Sequence, residues 1–190
     1  RERVRQIEDV GIKKIGRIVR TTQLIKVQES GERIIKMHAG LIVRDRLISA
    51  IIADLGISET INGNIIDILL QADFNLQKSK PQLGTETYFF FPEINKKMVE
   101  AIHKESVKIL KKKGDIMENA TLYEMIKINL FAQFGKVEAE LIDSVLDVYL
   151  DVVKGEEKYI GLRKWKILNP STLKDKVIYV LKKKKEPMHF

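Results

Sequence analysis

The sequence predicts a mainly α protein built from tandem units, each with three helices and a small β-hairpin. Three observations predict it. Apolar residues recur at helical spacing along most of the chain, strand-prone aromatic stretches follow runs of three such helices, and the same order of elements occurs twice. Of the 190 residues, 44% are hydrophobic and 32% charged, enough apolar material to bury cores.

The first helix is expected over residues 1–20, with Val4, Ile7, Ile15 and Ile18 near helical spacing. Gly11 and Gly16 each cost about 1 kcal/mol relative to alanine inside a helix, so this one is expected to bend or end early. Helices follow over 23–37, over 43–55, where Val43, Leu47, Ile51 and Leu55 step by four, and over 62–72. Residues 74–80 and 85–91 are strand formers on either side of Pro81 and Gly84, which predicts a hairpin. Helices closed by a hairpin form a winged helix.

The pattern repeats with helices over 96–112, 122–131 and 137–153 and a hairpin over 155–167. Gly40, Gly56 and the helix 65–70 align with Gly114, Gly135 and the helix 141–150, while Phe89 and Phe90 align with the strand around Trp165. After Pro170, Ser171 or Thr172 can cap a further helix whose apolar face is Leu173, Val177, Val180 and Leu181. The expected organisation is therefore a helical remnant at 1–20, winged-helix units at 21–93 and 94–169, and the start of a third unit at 170–190. We expect a fragment of a longer chain.

Charge is concentrated at the ends. The chain carries 34 basic and 26 acidic residues, a net charge of +8. Residues 1–20 hold seven bases against three acids and residues 172–190 six against two, so the intervening 151 residues are balanced. Attraction to a polyanion is therefore expected to start at the termini. Charges interrupt every apolar run well short of the roughly 18 residues of a membrane span, so a cytoplasmic protein with no membrane partner is expected. The absence of cysteine excludes disulfides, thiol nucleophiles and zinc fingers. His38, His103 and His189 are scattered and read as surface or partly packed side chains. With no nucleophile and no phosphate-binding glycine loop, neither catalysis, a cofactor nor a small-molecule substrate is expected.

The opening string Arg1-Glu2-Arg3-Val4-Arg5-Gln6-Ile7-Glu8 resembles the recognition helix of bacterial sigma factors, which reads an upstream promoter element in the major groove. The resemblance implies promoter DNA and RNA polymerase as partners. It makes Arg1, Glu2, Arg5 and Gln6 the base- and phosphate-facing positions, turns Val4 and Ile7 toward the core, leaves Arg3 toward the backbone or solvent, and extends loosely to Lys13, Lys14 and Arg17. The residue types suit the task, because arginine can fork onto guanine, glutamine can pair with adenine, and glutamate can accept from cytosine. Further on, Leu162-Arg163-Lys164-Trp165, Asn169-Pro170, the stretch from Leu173 to Leu181 and Pro187-Met188-His189-Phe190 resemble the start of a HARE-type helix-turn-helix domain, the winged-helix family that includes the polymerase delta subunit. In that family a tryptophan seals the core.

If the middle units contact DNA, their wings offer Lys78 and Lys80 in the first unit and Lys158, Arg163, Lys164 and Lys166 in the second, but the role favoured for the middle is protein interaction. The third helix of the second unit carries Glu138, Glu140, Asp143, Asp147 and Asp151, which repel phosphate and read as a solvated face. The function expected is a sigma-like, DNA-binding transcription factor fragment. The alternatives are a delta-subunit-like adaptor with nonspecific nucleic-acid contacts, or the regulatory part of a DNA-modifying enzyme.

Overall fold

A computed structural model describes residues 2–58, 62–155, 158–165, 168 and 177. Arg1, the side chain of Arg5, Lys166 and, apart from Val177, the helix expected over 170–190 lie outside the described residues. The described chain is mainly α, with short antiparallel strands. Its elements run α1 (Glu2–Val19), α2 (Ile25–Met37), β1 (Leu41–Val43), α3 (Arg44–Leu55), α4 (Gly63–Gln71), β2 (Gln77–Lys78) and β3 (Tyr88–Phe90). They continue with α5 (Lys96–Lys113), β4 (Met117–Glu118), α6 (Asn119–Phe134), α7 (Ala139–Val148), β5 (Val152–Lys154) and β6 (Tyr159–Leu162).

The two halves share one backbone plan. Val43 (φ −62°, ψ 138°) and Glu118 (φ −63°, ψ 138°) are extended residues from which a short strand turns directly into a helix. Gly56 and Gly135 then end those helices at φ of 59° and 70°, a region that costs an L side chain strain. In each half the first strand pairs with the last, giving sheet orders β1-β3-β2 and β4-β6-β5. Leu41 lies opposite Phe90 and Ile42 opposite Phe89, while Met117 lies opposite Ile160 and Val152 opposite Leu162.

Several sequence boundaries shift. Val43 ends a strand instead of starting a helix, and the helix expected to reach Val153 stops at Val148, because Val152–Lys154 pairs with β6. The counterpart of Phe89 is β6, three residues before Trp165. Trp165 instead lies against Gly161, where an added Cβ would come within 2.9 Å of the indole.

Contacts divide the chain into Arg1–Lys96 with Glu138–Val148, and Lys97–Val137 with Tyr149–Phe190. This differs from the expected boundaries at both ends of the first unit: α1 and α7 are grouped with it. In that unit Val27, Ile34 and Ile35 of α2, Leu47 and Ile51 of α3, Ile66 and Leu70 of α4, and Phe89 form one buried cluster. In the other, Ile102, Ile109 and Leu110 of α5, Leu122 and Ile126 of α6, and Ile160 are buried.

α1 runs unbroken through both glycines. Its C-terminal half docks through Val19, fully buried in the cluster, and Ile15 beside it. Gly16 allows the approach, since an added Cβ would collide with the carbonyl oxygen of Ala72 and stand 3.3 Å from Phe74. Gly11, in contrast, has nothing within 4 Å of that position. Val4, Ile7 and Ile18, expected to face the core, are 67%, 65% and 60% exposed, because the docking face is set by Gly16 and Val19.

The two glycines are therefore expected to respond to alanine with opposite signs. Gly11→Ala gains helix propensity and should stabilise the protein by about 0.5–1 kcal/mol. Gly16→Ala must displace backbone and should cost about 1–3 kcal/mol. Urea unfolding of the two variants beside the wild type measures both, and a stabilised Gly16→Ala would refute the docking geometry.

Candidate nucleic-acid interface

Docking divides α1 into two faces. Ile12, Ile15, Gly16 and Val19, at i, i+3, i+4 and i+7, turn inward. Opposite them Arg3, Ile7, Val10, Lys14 and Arg17 step by four, three, four and three residues, and all are exposed. Gln6 and Lys13 are exposed at the margin of this line, one turn from Arg3 and Val10 respectively, while the acids Glu2, Glu8 and Asp9 fall off it. Among the described residues Arg3, Lys13, Lys14 and Arg17 make no ion pair, so the face is a row of solvated cations interleaved with aliphatic side chains.

The candidate positions are thus partly regrouped. Gln6, Lys14 and Arg17 share one side of α1, while Lys13, at its margin, lines a cleft of about 300 Å³ with Asp9, Ile12, Gln71, Asp73 and Lys78. Glu2 does not join them. Arg1 and the Arg5 side chain lie outside the described residues. Arg3, not among the sequence candidates, lies on the same exposed face; its signal in the sequence was the spacing it shares with Lys14 and Arg17, which became informative only once the docked face was known.

At the end of α1, Arg20 lies 4.7 Å from the centre of the Phe74 ring. Beside this joint sits Asp73, 6% exposed. Its Oδ1 accepts from the Asn75 backbone N–H at 2.9 Å, the Asn75 side-chain amide donates to Glu32 at 2.8 Å, and Asp73 Oδ2 is buried without a hydrogen bond. Burial above all, and then the Glu32 carboxylate, push the Asp73 carboxyl up to about 6, against the opposing pull of the Asn75 N–H and the Arg20 charge.

The wing residues divide as well. Lys78 is not a free cation. Its ammonium sits 2.7 Å from Asp67, a buried carboxylate on α4 that also accepts from Arg44 Nε at 3.0 Å and Gln71 Nε2 at 2.9 Å. That network ties β2 to α4 and to the start of α3. Lys80, Lys158, Arg163 and Lys164 are exposed, with Lys158 in the left-handed region at φ 65°.

The third helix of each run is poorly equipped for a phosphate groove. α4 contains no basic residue and presents Asn64, Ile65 and Ile68 outward. α7 packs along β1 with Leu141, Ile142, Val145, Leu146 and Val148 buried. Its acids are not simply solvated: Asp147 lies 2.5 Å and Asp143 4.0 Å from Arg46 Nη1. Ser144 Oγ also donates to the His38 carbonyl at 3.2 Å. In the second unit Asp151 lies 2.8 Å from His103 Nε2, and that ring stacks on Tyr149 with centroids 3.6 Å apart, a packed histidine.

Asp73 should dominate one pH window. The folded chain holds this proton more tightly than the unfolded chain, whose carboxyl has a pKa of 3.8. The stabilisation is thus fully present below 3.8 and is lost as pH rises through about 6. Asp73→Asn keeps an acceptor for the Asn75 N–H but cannot ionise, so it should be more stable than the wild type at pH 7 by about 1–3 kcal/mol, with the difference vanishing at pH 4. Chemical denaturation at four pH values measures this, and a difference that does not change with pH would remove Asp73 as its source. Comparison with known protein families, curated proteins and solved structures found no match, so the reading of this surface rests on its geometry and charge.

Proposed function

We propose that this chain is a DNA-binding part of the transcription machinery that holds duplex DNA along the outward face of α1. The observation that carries the reading is the line Arg3, Lys14 and Arg17, exposed and off the faces that hold the acids of the same helix, with Gln6 and Lys13 at its margin. Phosphate contacts from these cations would position the helix, and Gln6 and the arginines have the donor patterns to select bases. The order helix, strand, helix, helix, strand, strand, with first strand paired to last, supports two winged-helix units as the scaffold. Lys80, Lys158, Arg163 and Lys164 are the wing cations open to phosphate. The resemblance of the opening string to sigma factor recognition helices favours promoter DNA as the target and RNA polymerase as the protein partner.

A second reading, an adaptor that binds a protein of the transcription machinery, is favoured by α4, whose Ile65 and Ile68 are 54% and 43% exposed with no cation beside them on that helix. Ile65→Asp with Ile68→Asp should then abolish polymerase binding and leave duplex binding intact.

The test of the first reading is fluorescence anisotropy on a promoter-like and a scrambled duplex at several salt concentrations. Replacing Arg3, Lys14 and Arg17 together by glutamine should reduce the slope of log affinity against log salt by about 3, near 0.9 for each lost contact. A tenfold promoter preference that survives high salt, about 1.4 kcal/mol, would support base reading. An unchanged slope in the triple variant would exclude α1 as the contact.

A further inference from the structure

We propose that α5 carries a second polyanion-binding surface, a lysine face of the second unit that grips the sugar-phosphate backbone without regard to sequence. The balanced charge of the middle of the chain conceals two poles. α5 holds seven lysines against two glutamates, a net +5, and residues 137–151 hold five acids and no base. The two poles have different fates. On the acidic stretch Asp143 and Asp147 are drawn to Arg46, and Asp151 to His103. On α5, Lys111, Lys112 and Lys113 make no ion pair among the described residues.

The faces of α5 are set by its packing. Val99, Ile102, Ser106, Ile109 and Leu110 are buried, at i, i+3, i+7, i+10 and i+11. Diametrically opposite, Lys97, Lys104, Lys108 and Lys111 recur at i, i+7, i+11 and i+14, with Lys112 alongside, all exposed. Of the two acids, Glu105 is shared: it pairs with Lys108 at 3.2 Å, and its side chain, 14% exposed, also accepts from Asn129 of α6 at 2.8 Å. Glu100 holds Lys104 only loosely, at 3.5 Å. Two acids against seven lysines leave the face with excess positive charge, and its row of ammonium groups is about 21 Å long, matching about six phosphates of one DNA strand.

The composition of the row selects its occupant. Lysine offers a point charge with no fixed fork, which suits phosphate and does not encode bases. Between the lysines there is no aromatic or large aliphatic side chain to enter a lipid headgroup layer, in contrast to interfacial helices. The occupant is therefore a nucleic-acid backbone. The inference draws on the DNA reading only for the class of partner; its site and residues are separate from α1.

The experiment uses the full chain with Lys104, Lys108, Lys111 and Lys112 changed to glutamine, which preserves helix propensity. Circular dichroism checks the fold, and anisotropy is measured on a 30-base-pair random duplex against salt. The expected result is a salt slope smaller by about 3 to 4, with the same proportional loss on promoter-like and scrambled duplexes. An unchanged slope while the wild type binds duplex overturns the proposal. If only the α1 variant loses binding, the α5 face fails and the α1 reading stands; if only the lysine variant loses it, the reverse holds. Wild-type capture of a poly-glutamate peptide through these lysines, without duplex binding, would also overturn it, assigning the face to an acidic protein.

Discussion

The orientation of α1 depends on one close approach, Gly16 of α1 against the Ala72 carbonyl at the end of α4. A helix has one rotational degree of freedom about its own axis, and docking removes it. With Gly16 and Val19 inward, the helical period alone dictates that Arg3, Lys14 and Arg17 point outward and that the acids fall to the sides. Any larger residue at position 16 would lift or turn the helix and scatter the row. A residue with no side chain thus fixes the direction of cations as far as thirteen positions away along the helix.

The same joint holds an electrostatic cost. Asp73 is buried beside Glu32, with one oxygen lacking a partner, at the place where Arg20 folds back over Phe74. Buried carboxyls without compensation are expensive, which is why this one holds its proton unusually tightly. The Asp67 network is the contrasting case: three donors surround one carboxylate, so the charge is satisfied and holds β2, α3 and α4 together. Two buried aspartates on neighbouring segments thus differ in kind because of the donors around them.

Helices were legible in the sequence because a 3.6-residue period extends over many residues. The strands Leu41–Val43 and Met117–Glu118 were not, since two or three residues carry no period and an apolar run that enters a helix reads as part of it. Val152 looked like the end of a helix because its pairing partner, Leu162, lies ten residues further along the chain. The inward face of α1 was misread for a related reason. Val4, Ile7, Ile15 and Ile18 give the stronger local hydrophobic pattern, whereas the true contact uses a glycine, which has no hydropathy signal. Lys78 read as a wing cation because Asp67, which claims it, is eleven residues away on another element. The candidate basic residues were thus visible in the sequence as types, but only tertiary packing decided which of them remain free.

That distinction bears on the acidic stretch of residues 137–151 as well. Five acids in fifteen residues would repel DNA if all were solvated, and on that basis a helix carrying them belongs on a basic protein surface. Asp143 and Asp147 lie against the Arg46 guanidinium, so the repulsion these two present to a polyanion is weakened where they sit. On α5 two glutamates meet Lys104 and Lys108, while Lys111, Lys112 and Lys113 make no ion pair among the described residues. A chain can therefore be electrically neutral over most of its length and still present positive faces to its surroundings, provided its acids and bases are concentrated on different elements. Net charge by segment answers a question about composition, whereas recognition of a polyanion depends on which charges folding has left without a partner.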